Sequence, residues 1–163
     1  MKNSFKIADS FDPSIKKKYV DDKIRRGLII FSTFPKIAPY NKFFVLISIH
    51  EVNLRGFFIN SKPSPLSSKR TPHGKEIQKM QIEVPKGIYD FLSNPISYID
   101  CSKDNKHSFK DFYNMLIESP SKICGKLNKD HLKLIDDAIK SSKLYSKKDQ
   151  NILLYEFDFK YKA

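Results

Sequence analysis

Residues 28–60 read LIIFSTFPKIAPYNKFFVLISIHEVNLRGFFIN, and this stretch decides the fold. Leu28–Phe34 is a short β-branched and aromatic run of the kind a buried strand carries. Pro35–Asn41 holds two prolines and reads as a loop. Phe43–His50 is a second apolar run of the same kind. Asn53-Leu-Arg-Gly56 reads as a hairpin turn, so that Phe57–Asn60 pairs back on the run before it.

Outward from this centre the chain continues to alternate strands and helices. Residues 61–79, SKPSPLSSKRTPHGKEIQK, read as one long Pro/Ser/Lys loop, a length that in a compact domain points to function or mobility. Met80–Val84 and Ile96–Cys101 read as strands, and Lys103–Lys106 as a turn. Tyr89–Leu92 is short and fits either element. Phe109–Ile117 predicts a helical turn or two before Pro120. Asn128 caps a helix over 129–142 whose apolar face is Leu132, Ile135, Ala138 and Ile139. Tyr155, Phe157, Phe159 and Tyr161 alternate with polar residues, which predicts a strand packed into the core, or else a self-association edge. Upstream, residues 1–10 are polar and read as loose. Asp12-Pro13 opens an amphipathic helix over 13–25 that stops at Gly27. No repeat or linker interrupts the chain. The expectation is one α+β domain over 1–163: a small barrel with peripheral helices, its core at 27–142 and extensions at 1–26 and 143–163.

The chain has 163 residues, enough to bury a core without disulfides or metal. Lys and Arg number 30 against 18 Asp and Glu, a net charge of +12, which favours polyanionic partners and nucleic acid first. Arg stands only at 25, 26, 55 and 70, and a coding sequence rich in A and T would give the same Lys-rich composition. With 5 Gly there is no GxGxxG and no GxxxxGK[ST], so the glycine-rich nucleotide loops are excluded. No apolar run approaches the roughly 18 residues of a membrane span, and the start lacks a signal-peptide core, so a cytoplasmic protein with no membrane partner is expected. Cys101 and Cys124 show no CxxC spacing and read as free thiols. His50, His73, His107 and His131 are scattered, so neither a metal nor another cofactor is expected.

Two segments resemble the PemK/MazF-like toxins, a family with an SH3-like barrel. Gly27-Leu-Ile-Ile-Phe31 resembles that family's first strand, and Asn41-Lys-Phe-Phe-Val-Leu-Ile-Ser48 its second. Ile123–Ile135 is similar to the family's Gly-x-Leu turn running into its C-terminal helix, and Ser97–Ser102 to a strand ending in an acidic residue. The resemblance spans 27–142 and rests on the order and spacing of these pieces. It implies a toxin of a type II toxin–antitoxin pair: a sequence-selective, metal-independent endoribonuclease that cleaves single-stranded RNA by attack of the ribose 2′-oxygen. It further implies a homodimer silenced by an acidic antitoxin.

Carried over residue by residue, the family's basic catalytic position falls on Lys42, where the family has Arg followed by Pro. Its hydroxyl falls on Ser61 and its acid on Asp100. Asn60 would read a base or sugar, and Lys62, Lys69, Arg70, His73 and Lys75 would meet RNA from the basic loop, in which Lys79 also lies. Read on their own, these residues are also a strand-end lysine, a turn-capping Ser and Asp, and a solvated loop. Tyr40 is a candidate for stacking on a base, and Phe57 for stacking or for core packing. His50 and His131 read as structural. The alternative to a nuclease is a non-catalytic nucleic-acid-binding or protein-interaction module on the same barrel.

Overall fold

The computed structural model describes residues 4–34 and 38–159. Its elements run α1 (Ser4–Asp9), α2 (Pro13–Lys23), β1 (Leu28–Phe34), β2 (Ala38–His50), β3 (Asn53–Asn60), α3 (Pro72–Lys79), β4 (Gln81–Pro85), β5 (Ile96–Asp100), β6 (Asn105–Ser108), α4 (Phe109–Glu118), β7 (Ile123–Lys126), α5 (Lys129–Ser141) and α6 (Lys147–Leu154). The seven strands form one sheet in the order β4-β5-β3-β2-β1-β7, with β6 also on β3. Every pairing is antiparallel. The first half of β3 takes β6 and its last two residues take β5, so the sheet divides along one strand and curls into a half-barrel.

Strand side chains alternate between faces, and here both faces are covered. Ile29, Val45, Phe57, Ile59, Ile82 and Ile99 fall in one core with Ile135 and Ile139 of α5 and Leu153 of α6. Leu28, Ile30, Phe44, Leu46, Leu54 and Phe58 fall in a second with Val20 of α2 and Phe112 and Leu116 of α4. This explains why the strand sequences read as continuous apolar runs. Each such fully buried side chain contributes about 1.5–3 kcal/mol by leaving water. α2 and α4 therefore cover the second core rather than standing apart from it.

Two arginines fasten the layers. The register of β2 on β3 shifts at Leu46/Ser48, a bulge centred on Ile47. Arg26 donates to the carbonyls of Ile47 (2.8 Å) and Leu153 (2.6 Å) and pairs with Asp136, so one side chain joins the bulge to α5 and α6. Arg55 on β3 pairs with Asp104 (2.5 Å) and Asp149 (2.9 Å), which holds the start of α6 against the sheet.

Several expectations are corrected. The 61–79 segment contains a 3-10 turn at Pro65–Ser68 and then α3, whose cap Thr71 accepts from Gly74 N–H. Lys103–Lys106 is not only a turn, because Asn105–Ser108 pairs with β3. Ile123–Lys126 is a strand where a turn is expected, since it supplies the outer partner of β1. Residues 4–9 form α1, which is tied down where Asp9 accepts from Ser121. The C-terminal strand is absent among the described residues: the chain forms α6, capped by Ser146 over Asp149, and then an irregular tail. Phe157 and Phe159 pack against the second core, Phe159 on the rings of Phe109 and Tyr113. Tyr161 lies outside the described residues.

Candidate functional site

With helices on both faces, the described residues leave the sheet uncovered at one end, where β1 finishes, β2 begins and β3 leaves for the 61–65 segment. A cleft of about 520 Å³ lies there, lined from Phe31, Tyr40–Phe43, Ile59–Pro65, Phe91–Asn94, Ser97 and Asp100. The aromatic members form a connected row. Phe31 and Phe43 face each other across the β1–β2 ladder with ring centroids 4.5 Å apart. Phe43 meets Phe91 at 5.3 Å, and Phe91 stacks on Tyr89 at 5.7 Å. Phe31 is 36% exposed and Tyr40 63% exposed, so apolar ring surface is open to a ligand.

Of the residues singled out from sequence, the cleft brings together Lys42, Asn60, Ser61, Lys62 and Asp100, with Tyr40 beside them. Lys69, Arg70, His73 and Lys75 are exposed but do not line it. Phe57 is fully buried and packs in the core. His50 is exposed, and His131 is buried at the start of α5.

Lys42 alternates with Phe43 along β2, and its ammonium sits 4.7 Å from the Phe58 ring centroid and 5.9 Å from that of Tyr40. Those rings stabilise the cation through their negative faces. Asp100 is held by a fixed set of donors: Gln81 Nε2 (2.7 Å), Ser102 N–H (3.1 Å) and Ser102 Oγ (2.5 Å) all reach its Oδ1. Gln81 in turn accepts from Ser64 N–H at 2.9 Å, which pins the 61–65 segment to β4. By contrast, the side chains of Asn41, Asn60, Ser61, Ser93 and Asn94 take no hydrogen bond among the described residues. The cleft thus combines ring faces, two lysines and unspent polar groups, a composition suited to a planar, polar, anionic ligand.

Neither thiol joins this chemistry. Burial raises Cys101 well above the ordinary thiol range and pushes Cys124 up to about 12. Among the described residues no cluster of His, Cys, Asp and Glu could hold a metal ion. No helix among them is long and apolar enough to cross a membrane.

Sequence reasoning misses Phe31, Phe43, Phe91, Asn41, Ser93 and Asn94. The first two stand inside runs that read as core, and only their place at the open end of the sheet leaves them partly uncovered. No family model matches the chain, and no curated protein matches it.

Proposed function

We propose that the protein binds single-stranded RNA in the cleft at the open end of the sheet. The observation that carries this reading is the row Phe31–Phe43–Phe91 beside Lys42, Lys62 and the unpartnered polar side chains. Single strands expose base faces to aromatic rings and base edges to side-chain amides, while lysines meet phosphate. A duplex hides its base faces, so it loses the stacking contribution. The net charge of +12 draws a polyanion to the surface. The test is fluorescence anisotropy of a labelled mixed-sequence single strand with unlabelled duplex as competitor. Binding displaced by single strand and poorly by duplex is expected. Absence of binding at low salt overturns the proposal.

A second reading is favoured by the meeting of Lys42, Ser61 and Asp100 in one cleft. It is the cleavage implied by the resemblance to PemK/MazF-like toxins, whose SH3-like barrel the half-barrel would represent here. The 2′-oxygen attacks the adjacent phosphorus and gives up its proton to a base, for which Asp100 is the carboxylate in the cleft. A lysine stabilises the phosphorane charge, and Ser61 donates to a phosphate oxygen. The P–O5′ bond breaks and the leaving 5′-oxygen takes a proton from solvent water, whose hydroxide is neutralised by the proton that Asp100 gives back, leaving a 2′,3′-cyclic phosphate and a 5′-hydroxyl. Lys42 would act as a point charge, without the two-pronged hydrogen bonding of Arg. On this reading the active form is a homodimer and the natural inhibitor an acidic antitoxin. The assay is incubation of mixed-sequence RNA in EDTA with wild type, Lys42→Ala and Ser61→Ala. Cyclic-phosphate ends lost in either variant support cleavage. Binding without turnover leaves a non-catalytic module.

A further inference from the structure

The connection between β4 and β5 carries an inference that rests on the RNA-binding reading and deepens it. Residues 86–95 leave and return at one point: Lys86 N–H donates to the Pro95 carbonyl at 3.0 Å and closes the neck. The chain turns at Gly87 (φ +93°), and Leu92 N–H then bonds back to the Tyr89 carbonyl at 3.0 Å. A loop of this length with joined ends, packed by its own side chains, is an Ω-loop.

The loop is fixed from beneath. Tyr89 and Leu92 are buried in the first core. The Tyr89 hydroxyl accepts from Asn128 N–H at 3.0 Å and shares a hydrogen bond with His131 Nδ1 at 2.8 Å. Phe91 rests on β7 at Gly125, where a Cβ would come within 3.3 Å of the Phe91 ring. Its ring therefore stands in a set place against Phe43. Ser93 and Asn94 follow it on the exposed rim of the cleft with no hydrogen-bond partner among the described residues.

We propose that this Ω-loop is the base-recognition element of the cleft. Phe91 supplies the stacking wall for one unpaired base, and Ser93 and Asn94 hydrogen-bond to that base's edge. Affinity then depends on which base occupies the cleft, whereas phosphate contacts made by Lys42 and Lys62 are the same for all four. Stacking alone tolerates any base, so discrimination needs such edge contacts.

The experiment measures dissociation constants of the full-length wild type, Phe91→Leu, Asn94→Ala and Lys62→Ala for the four single-stranded homopolymers, with thermal unfolding of each. Wild type is expected to rank the four bases over about fivefold or more, from one set of edge contacts. Asn94→Ala is expected to flatten that ranking, and Phe91→Leu to weaken all four about tenfold. Asn94 is exposed, so its replacement leaves the fold intact and keeps the test decisive if Phe91→Leu unfolds. A wild type without base preference, or an Asn94→Ala protein that keeps the wild-type ranking, overturns the proposal. If Lys62→Ala then still weakens binding, the cleft reading stands without the loop. No binding by wild type overturns both.

Discussion

The salt dependence of RNA binding separates the cleft from a basic surface. Each phosphate neutralised by a cation releases condensed counterion, and for single strands log K falls with log salt at a slope of about −0.7 per contact. The cleft is lined by two lysines, Lys42 and Lys62. Two contacts give a slope of about −1.4, or roughly a sevenfold loss of affinity between about 50 and about 200 mM salt. Had Lys69, Arg70 and Lys75 also met the strand, five contacts would give about −3.5 and roughly a hundredfold loss. The structure keeps those three outside the cleft, so the shallow slope is expected. The remaining affinity comes from stacking, about 1–3 kcal/mol per base, and does not vary with counterion release. Anisotropy titrations of a labelled short single strand at four or five salt concentrations measure the slope directly. Lys62→Ala should bring it to about −0.7, and a Lys69→Ala, Arg70→Ala, Lys75→Ala triple variant should leave it unchanged. A wild-type slope near −3.5 that the triple variant reduces would refute the reasoning, because the 69–75 surface would then be the binding site.

Three further outcomes follow from the interior. Burial lowers the pKa of both His107 and His131, so each is neutral in the fold and binds protons more readily when unfolded. Stability is therefore full above the ordinary histidine value of about 6.5 and falls as pH drops through it toward the folded values. His107 Nε2 is buried without a partner and its ring lies 5.0 Å from that of Phe34, so His107→Phe should blunt the fall in melting temperature between about pH 7 and pH 5. A variant curve parallel to wild type would count against this. Arg55→Ala leaves Asp104, 13% exposed, without its cation and should cost about 3 kcal/mol in urea unfolding, with Asp149 adding little because it reaches water. A loss under about 1 kcal/mol would show that water replaces the guanidinium. Cys101, fully buried and held protonated by burial, should react with a thiol reagent at neutral pH only as fast as the protein opens. Immediate labelling of Cys101 in the native protein, read in a Cys124→Ser background, would contradict it.

The strands around 28–60, the Asn128-capped helix and the α+β class are legible because they rest on local chemistry, apolar runs and a cap residue. The hairpin turn expected at Asn53–Gly56 falls instead at Glu51–Val52, since Asn53–Gly56 pair with both β2 and β6, and β2 already begins at Ala38 where a loop is expected to reach Asn41. Lys42, Asn60, Ser61, Lys62 and Asp100 are grouped in sequence only by the family resemblance; in the fold the β2–β3 pairing brings Lys42 near Asn60, and β5 carries Asp100 to the same cleft by pairing with the end of β3. The C-terminal alternation misleads for a physical reason. Phe157 and Phe159 are spaced for a strand, but Phe159 finds the rings of Phe109 and Tyr113 on α4, Phe157 packs on the same core, and neither lies in a strand among the described residues. The signal that was present, Ser146 with Asp149 three residues on, marks the start of α6 instead. The basic 61–79 segment misleads differently. Composition assigns its cations to a mobile loop over the site, whereas Thr71 and Pro72 start a helix that carries Lys75 away from the cleft.

The place of the candidate site follows from the two cores. A sheet with one covered face can bind a ligand on the other. Here Ile29, Val45 and Phe57 are spent on one side, and Ile30, Phe44 and Phe58 on the other. Aromatic surface can then remain open only where the strands run past their helices. Phe31 and Phe43 stand at that end as direct cross-strand partners, one turn of the alternation beyond the buried Ile29 and Val45. The same step that takes β1 and β2 out of the core therefore creates the ring surface, and the Ω-loop meets it because Gly125 lets Phe91 lie against β7. Filling that seat tests the geometry. Gly125→Ala should leave both cores unchanged while tilting Phe91 away from Phe43, so RNA affinity should fall severalfold with little change in melting temperature. Equal loss of both would mean that Phe91 serves the core and that the cleft wall is incidental.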